Sequence, residues 1–439
     1  MAMSKVAVAR AARHARRILA PASLLAFAAC GGTLSPTEPV STAGQWGTPE
    51  ILEANVTSAA FPRVQVDPVG RGLAVWEVAG GIAARRFDAA GGWQELPLLP
   101  AADDQVTGLG LNPSGDTLIT WSERESARPQ HVTLWARRGN LDAGFGPAER
   151  LDADDPDADF ANFSMDASLD PAGNAIAAWA AFPAFANRYE TDRGWQGPHV
   201  LSAGPTNAPR VATDAAGNGI VVWQETLRGA VARFFPGRGW TPDDDYDRYE
   251  AGGGTGDVSA PRLALSSTGR GFIGWLRQTP QVRAFSSATL GLGPAVVLGG
   301  GTGPGDLRLA VNDQGDAVAV WEPGFSELWA STFDPSSGWA TAERLVSAEA
   351  RGFDVAMDAT GNAILVFGEW DGTRDVMRAR RHAPGSGWGP PRQIDAGGQS
   401  ISPALAVDPS GNALLVWTEL LPSSAKTVWA NRFAIVTTR

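Results

Sequence analysis

Val407-Asp408-Pro409-Ser410-Gly411-Asn412-Ala413-Leu414-Leu415-Val416-Trp417 is one of eight copies of a single pattern, and its reading decides the fold. In every copy a turn-former stands three residues before a glycine: Asp67, Asn112, Asp170, Asp214, Ser266, Asn312, Asp358 and Asp408 before Gly70, Gly115, Gly173, Gly217, Gly269, Gly315, Gly361 and Gly411. Nine residues after each turn-former comes an aromatic: Trp76, Trp121, Trp179, Trp223, Trp275, Trp321, Phe367 and Trp417. Asp-Pro-Ser-Gly-Asn suits a type I turn with Pro at its second position and a left-handed Gly opening a G1 bulge. Ala-Leu-Leu-Val-Trp is apolar on both faces, as a strand covered on both sides should be. Each copy is therefore a hairpin with a buried return strand. A helix is excluded because every apolar run is short and bounded by Gly or Pro.

Outward from the hairpin, a third strand recurs, as in Ile82-Ala-Ala-Arg-Arg-Phe87 and Val428-Trp-Ala-Asn-Arg-Phe433. A tight turn such as Phe333-Asp-Pro-Ser-Ser-Gly-Trp339 leads from it into a fourth, whose tail ends on an apolar residue in eight places: Leu52, Leu99, Leu151, Leu201, Tyr246, Leu298, Leu345 and Ile394. The unit thus has four strands, A to D, and repeats every 49 residues or so between Trp76 and Trp417. The first tail, Trp46-Gly-Thr-Pro-Glu-Ile-Leu52, has no head, and the last unit stops six residues after Phe433 with no tail. Pieces that complete each other at the two ends predict an all-β, closed eight-bladed β-propeller of four-stranded antiparallel blades, its last blade finished by an N-terminal strand. An open solenoid would want distinct end caps instead.

Composition agrees with a turn-rich β chain: 52 Gly, 17 Trp and one Cys in 439 residues, with a net charge of −11. An acidic surface argues against nucleic acid or an anionic membrane as the principal partner. The first 29 residues stand apart. They carry Lys5, Arg10, Arg13, Arg16 and Arg17 and no acid, then an apolar run from Ile18, then Ala28-Ala29-Cys30-Gly31-Gly32. This resembles a bacterial lipoprotein signal. The resemblance implies a signal peptide over 1–29, lipidation of Cys30, a tether over 30–44, one propeller domain over 45–439 and a place in the cell envelope, most simply the outer membrane. The apolar run is too short to span a bilayer. With no second cysteine, stability has to come from packing.

The hairpin core Ala406-Val407-Asp408-Pro-Ser-Gly411-Asn412 resembles NHL-type propeller repeats. Eight Trp-marked blades resemble quinoprotein dehydrogenases more weakly, since their Trp follows Gly after about four residues and here the gap is six. Both resemblances imply the propeller fold and neither supplies a functional residue.

His131, His199 and His382 are scattered over three units without ligand spacing, so neither a zinc site nor a His-based triad is expected. Ser423-Ser-Ala-Lys426 matches Ser-x-x-Lys without the companion motifs, and Gly299 to Gly305 leads into a strand where a phosphate loop would lead into a helix. A sialidase-like site resembles others of its kind in a tyrosine nucleophile with an arginine triad. Here only Tyr189, Tyr246 and Tyr249 exist, and the turn-to-Trp gap of nine exceeds an Asp-box. Two-carboxylate glycosidase chemistry stays open because Glu is plentiful. The acidic loops Asp152 to Asp159 and Asp243 to Asp247 could offer oxygen ligands to Ca²⁺, although solvated acidic loops are the commoner outcome. No resident cofactor is expected.

One repeat position carries a further signal. Four residues before the turn-former stand Arg63, Gly108, Asp166, Arg210, Arg262, Arg308, Asp354 and Ala404, so four arginines should ring one mouth of the channel. Salt bridging is the plain explanation: Arg63 has Glu77 and Arg308 has Glu322 diagonally across the hairpin, and Asp166 and Asp354 neighbour Arg210 and Arg308. Arg262 has Leu276 and Arg277 at the corresponding places, which makes it the expected ligand contact. The resulting expectation is a monomeric, lipid-anchored binding or assembly module. Its partner would be a protein or carbohydrate on the variable B–C and D–A loops. The alternative is a carbohydrate-active enzyme on the same fold.

Overall fold

The computed structural model describes residues 41–56, 61–101, 104–124, 132–152, 164–180, 183–202, 204, 206–225, 228–241, 244–248, 261–276, 278–289, 291–324, 326–347, 349–421 and 425–438. Among them there are strands and turns and no helix. Eight antiparallel sheets follow one another, each with its strands in the order A-B-C-D. The A strands are Arg63–Val66, Asp104–Leu111, Met165–Leu169, Thr206–Thr213, Arg262–Leu265, Gly305–Val311, Ala350–Met357 and Gln399–Val407, in blades one to eight. Each A strand packs beside the A strands of the blades before and after it, and Gln399–Val407 packs beside Arg63–Val66. The ring is closed, and the chain is the eight-bladed β-propeller that the repeat predicts.

Closure is made as the orphan tail requires. Ser41–Trp46 and Glu50–Val56 both pair with Lys426–Thr438, the C strand of blade eight. The first strand is Ser41–Trp46, where the sequence predicts a tether as far as residue 44. The final C strand is thirteen residues long and offers backbone partners beyond Trp46. Gly44 is then needed where it stands, because a Cβ there would run into the Phe433 ring.

The turns explain why the pattern never varies. Gly70 N donates to Asp67 O at 3.0 Å and Asp67 N to Arg71 O at 2.8 Å, the hydrogen bonds of a type I turn with a G1 bulge, and Gly70 has φ 85°. The Asp67 carboxylate also accepts from Val69 N (3.0 Å) and Arg71 N (2.8 Å), and Asp408 repeats this with Ser410 N (2.8 Å) and Asn412 N (3.0 Å). The turn-former is thus chosen for its side-chain acceptor. Its second oxygen takes a donor four residues on, from Arg71, Asn174, Asn218, Asn362 or Asn412. Where the turn-former is Asn112 or Asn312 the polarity reverses, and the amide donates to Asp116 or Asp316, each at 3.0 Å.

All eight marked aromatics, from Trp76 to Trp417, are at most 2% exposed. They pack between blades, as Trp223 does against Ile176 and Ala178 of blade three and Val211 and Val221 of its own blade. Trp121, Trp223 and Trp417 direct their indole N–H to the glutamate two residues on, at 3.2, 3.2 and 3.4 Å. These tryptophans are structural.

Candidate functional site at the channel mouth

The A–B and C–D turns lie at one end of the ring, so the beginnings of the A strands reach the other. There several strands are kinked. Phe61, Ala208 and Ser402 have φ of 54°, 51° and 53°, each directly before a proline. Non-glycine residues in this region cost about 1–3 kcal/mol, and a following proline restricts them further. Pairing slips between Asn207 and Arg210 and between Ile401 and Ala404, so the kinks at Ala208 and Ser402 are bulges just ahead of the ring position.

The ring residues reach from one blade to the next. Asp166 accepts from Val211 N of blade four at 3.0 Å, and Asp354 from Leu405 N of blade eight at 2.9 Å. Arg63 Nε donates to Val106 O of blade two at 3.3 Å, and Arg262 Nε to Leu307 O of blade six at 3.0 Å. A carboxylate at this position therefore holds a neighbouring N–H, and a guanidinium a neighbouring carbonyl. Beside Arg63, Asp166 and Asp354 lies a polar cavity of about 390 Å³, which Gln65 and Ser168 also line; Arg210, Arg262 and Arg308 are not among its lining residues.

The arginines are unequal. Arg262 is the one the sequence left without a carboxylate, and the structure corrects this. Its Nη2 lies 2.5 Å from Asp306 Oδ1, and Asp306 also binds Arg308. Asp306 belongs to the next blade, two residues ahead of the ring position, where a search within one hairpin could not find it. Arg308 likewise pairs with Asp306 and not with Glu322. Glu77 accepts from Val106 N at 3.0 Å, so it shares a neighbour with Arg63 without bridging it. Arg210 is the least engaged. Among the described residues its one hydrogen bond runs from Nη1 to its own Pro209 O, 2.7 Å away.

The electrostatics follow from enclosure. Burial pushes Arg63 below the usual arginine value, with Asp166 opposing the shift. Burial and then the nearby Arg308 bring Arg262 down to about 9. Burial raises Asp166 and Asp354 above the usual carboxylate value, against the pull of Arg210 and Arg308 respectively. Asp306 goes the other way: burial opposes its charge, but Arg308 and Arg262 hold it below the ordinary value. Glu322 lies directly across the strand pair from Asp306, and burial together with the Asp306 charge pushes it up to about 7.

Other sequence candidates fall elsewhere. Tyr189 is buried under Arg138, whose guanidinium carbon sits 3.5 Å from the ring centre, so it is a core residue. Cys30 and the rest of 1–40, most of the acidic loop after Asp152, His131 and Tyr249 lie outside the described residues, as does the Tyr246 side chain. Among the described residues no group of three His, Cys, Asp or Glu is arranged to hold a metal ion.

No protein-family profile and no curated protein matches the chain, so the likeness to NHL-type repeats rests on the hairpin residues alone. Solved structures are similar in outline. AofleA from Arthrobotrys oligospora is 12% identical with a TM-score of 0.44, covering 81% of this chain and 90% of its own. A protein of unknown function from Dyadobacter fermentans is 11% identical with a TM-score of 0.43, over 90% of this chain and 99% of its own. The NanB sialidase of Streptococcus pneumoniae is 8% identical with a TM-score of 0.42, over 83% of each chain. Likenesses this distant carry no argument about function.

Proposed function

We propose that this propeller is an extracytoplasmic binding module, anchored through Cys30, that takes an anionic ligand such as an acidic carbohydrate at the channel mouth. The observation that carries the reading is the unequal engagement of the four arginines. Arg262 and Arg308 share the carboxylate of Asp306, whereas among the described residues Arg210 keeps most of its donors uncommitted and Arg63 donates only through Nε. A guanidinium beside a polar cavity, as Arg63 is, is a strong partner for a carboxylate, and Arg210 stands at the same repeat position two blades away from Asp306. Arg210 is the leading contact and Arg63 its companion, with Arg262 and Arg308 as framework.

The test is a glycan array with acidic and neutral members, followed by titration of any binder against Arg210→Ala and Arg262→Ala. Lost binding with an unchanged melt in Arg210→Ala is the expected result. Equal binding by both variants and the wild type would remove the site.

A second reading, a carbohydrate-active enzyme, is favoured by one observation. Asp306 and Glu322 face each other across a strand pair with protonation tendencies driven apart, the division of labour that two-carboxylate hydrolases use. Hydrolysis of a bound glycan that disappears in Glu322→Gln would favour this reading. Binding without turnover would leave the module reading.

A further inference from the structure

At four of the interfaces between successive blades the same plug recurs near the turn end. An arginine late in one C strand lies over the aromatic that ends the next blade's C strand. Arg138 covers Tyr189 at 3.5 Å, Arg188 covers Phe234 at 4.7 Å, Arg432 covers Phe87 at 5.4 Å and Arg381 covers Phe433 at 6.0 Å. Two interfaces lack the arginine. Between blades five and six the slot holds Ala284, and the chain compensates with Phe272, where other blades have Leu, Ile or Val. Its ring meets Phe333 at 5.0 Å and Trp339 at 5.2 Å. Between blades six and seven the slot holds Thr332, the compensating position holds Val318, and the aromatic is replaced by His382. Among the described residues that line this space, none takes the place of the plug.

The consequence is a cleft of about 360 Å³ between blades six and seven, lined by Thr332, Phe333, Asp316, Asp334, Thr360 and His382 among others. The equivalent space between blades eight and one, where Arg432 is in place, is about 70 Å³. Two carboxylates face the cleft, and among the described residues no lysine or arginine lines it. Ser336 N (2.7 Å) and the Ser336 hydroxyl hydrogen-bond to the Asp334 carboxylate and hold it below the ordinary value, so it stays charged. The His382 ring packs on Trp388 with centroids 5.3 Å apart.

We propose that this cleft binds a guanidinium group from outside the propeller, seated where Arg138, Arg188, Arg381 and Arg432 sit at other interfaces. The slot offers such a group an aromatic face, as the filled slots do, and adds two carboxylates whose charge it would partly offset. The site is at the opposite end of the ring from Arg210 and does not depend on the reading given to the channel mouth.

The experiment is calorimetric titration of the full chain with agmatine and with acetyl-Gly-Arg-Gly-amide, and with N-butylurea as a neutral analogue. Saturable binding of a cationic probe and none of the urea is expected. A better fit of the peptide points to an arginine side chain of a protein, and a better fit of agmatine to a free small molecule. Thr332→Arg restores the common plug and Val318→Phe copies the solution of blade five. Each should weaken binding at least about tenfold, a loss of about 1.4 kcal/mol. Asp334→Asn keeps the turn's acceptor and removes one charge, and should weaken binding with the melt unchanged. Arg210→Ala should bind the probes as the wild type does. No binding by either cationic probe, equal binding of the urea, or binding that survives all three cleft variants would overturn the proposal.

Discussion

Trp223→Ala tests the core assignment most directly. Trp223 is fully buried and belongs to a cluster that joins blades three and four. Its loss removes about 200 Å² of apolar burial, which at about 25 cal/mol per Å² gives an upper figure near 5 kcal/mol. Large aromatic truncations in cores cost about 3–5 kcal/mol, so about 4 kcal/mol is expected. The indole hydrogen bond to Glu225 adds little, because that carboxylate is not buried. For a cooperative unit of roughly 400 residues, with an unfolding entropy of about 2.1 cal/mol/K per residue, this lowers the melting temperature by about 5 °C. Differential scanning calorimetry reads the shift, with Trp370→Ala as control, since Trp370 is 38% exposed. If Trp223→Ala melts with the wild type, the marked aromatics are not the inter-blade core.

Deleting Gln45 to Leu52 should open the ring, because Lys426–Thr438 loses its outer partner and Leu52 leaves the core. Aggregation on size exclusion is expected, and a monomer of wild-type stability would contradict closure by this strand. Cys30→Ala should give an unprocessed or unlipidated product by mass spectrometry of the N-terminus, whereas a lipidated product from that variant would refute the anchor. Glu322 has a folded value near 7, above that of an unfolded glutamate. Its contribution to stability is therefore complete below about pH 4.5 and is lost as pH rises through 7. Glu322→Gln should flatten the decline in stability across that window, and an unchanged profile would show that Glu322 is not perturbed.

The ring architecture was legible in the sequence because each requirement of a blade falls on a fixed residue type at a fixed spacing. Gly411 and its equivalents need positive φ, Asp408 and its equivalents need a side-chain acceptor, and Trp417 and its equivalents fill one inter-blade volume. A closed ring then needs only the orphan strand at Trp46. What spacing did not reveal was how Ser41 to Gly44 would be used, since their pairing depends on the length of the last C strand, far away in the chain.

The site was less legible, for a reason that Arg262 makes plain. Within its own hairpin, at the places where Glu77 and Glu322 stand relative to Arg63 and Arg308, Arg262 has Leu276 and Arg277. In a closed ring, however, the ring position leans onto the next blade, so the decisive residue is Asp306, 44 positions on. The signal was present: an aspartate two residues ahead of Arg308, at a place where no other blade has an acid. Reading it required knowing the direction in which ring residues reach, and that direction is a property of the assembled propeller. The same reasoning applies to the cleft beside His382. Thr332 is unremarkable in its own blade and acquires meaning only against Arg138, Arg188, Arg381 and Arg432 in theirs. In a repeat protein, a departure from the common residue is informative when the neighbouring unit fails to compensate. Ala284 is compensated by Phe272, whereas Thr332 is not, and that difference separates a structural variation from a candidate binding site.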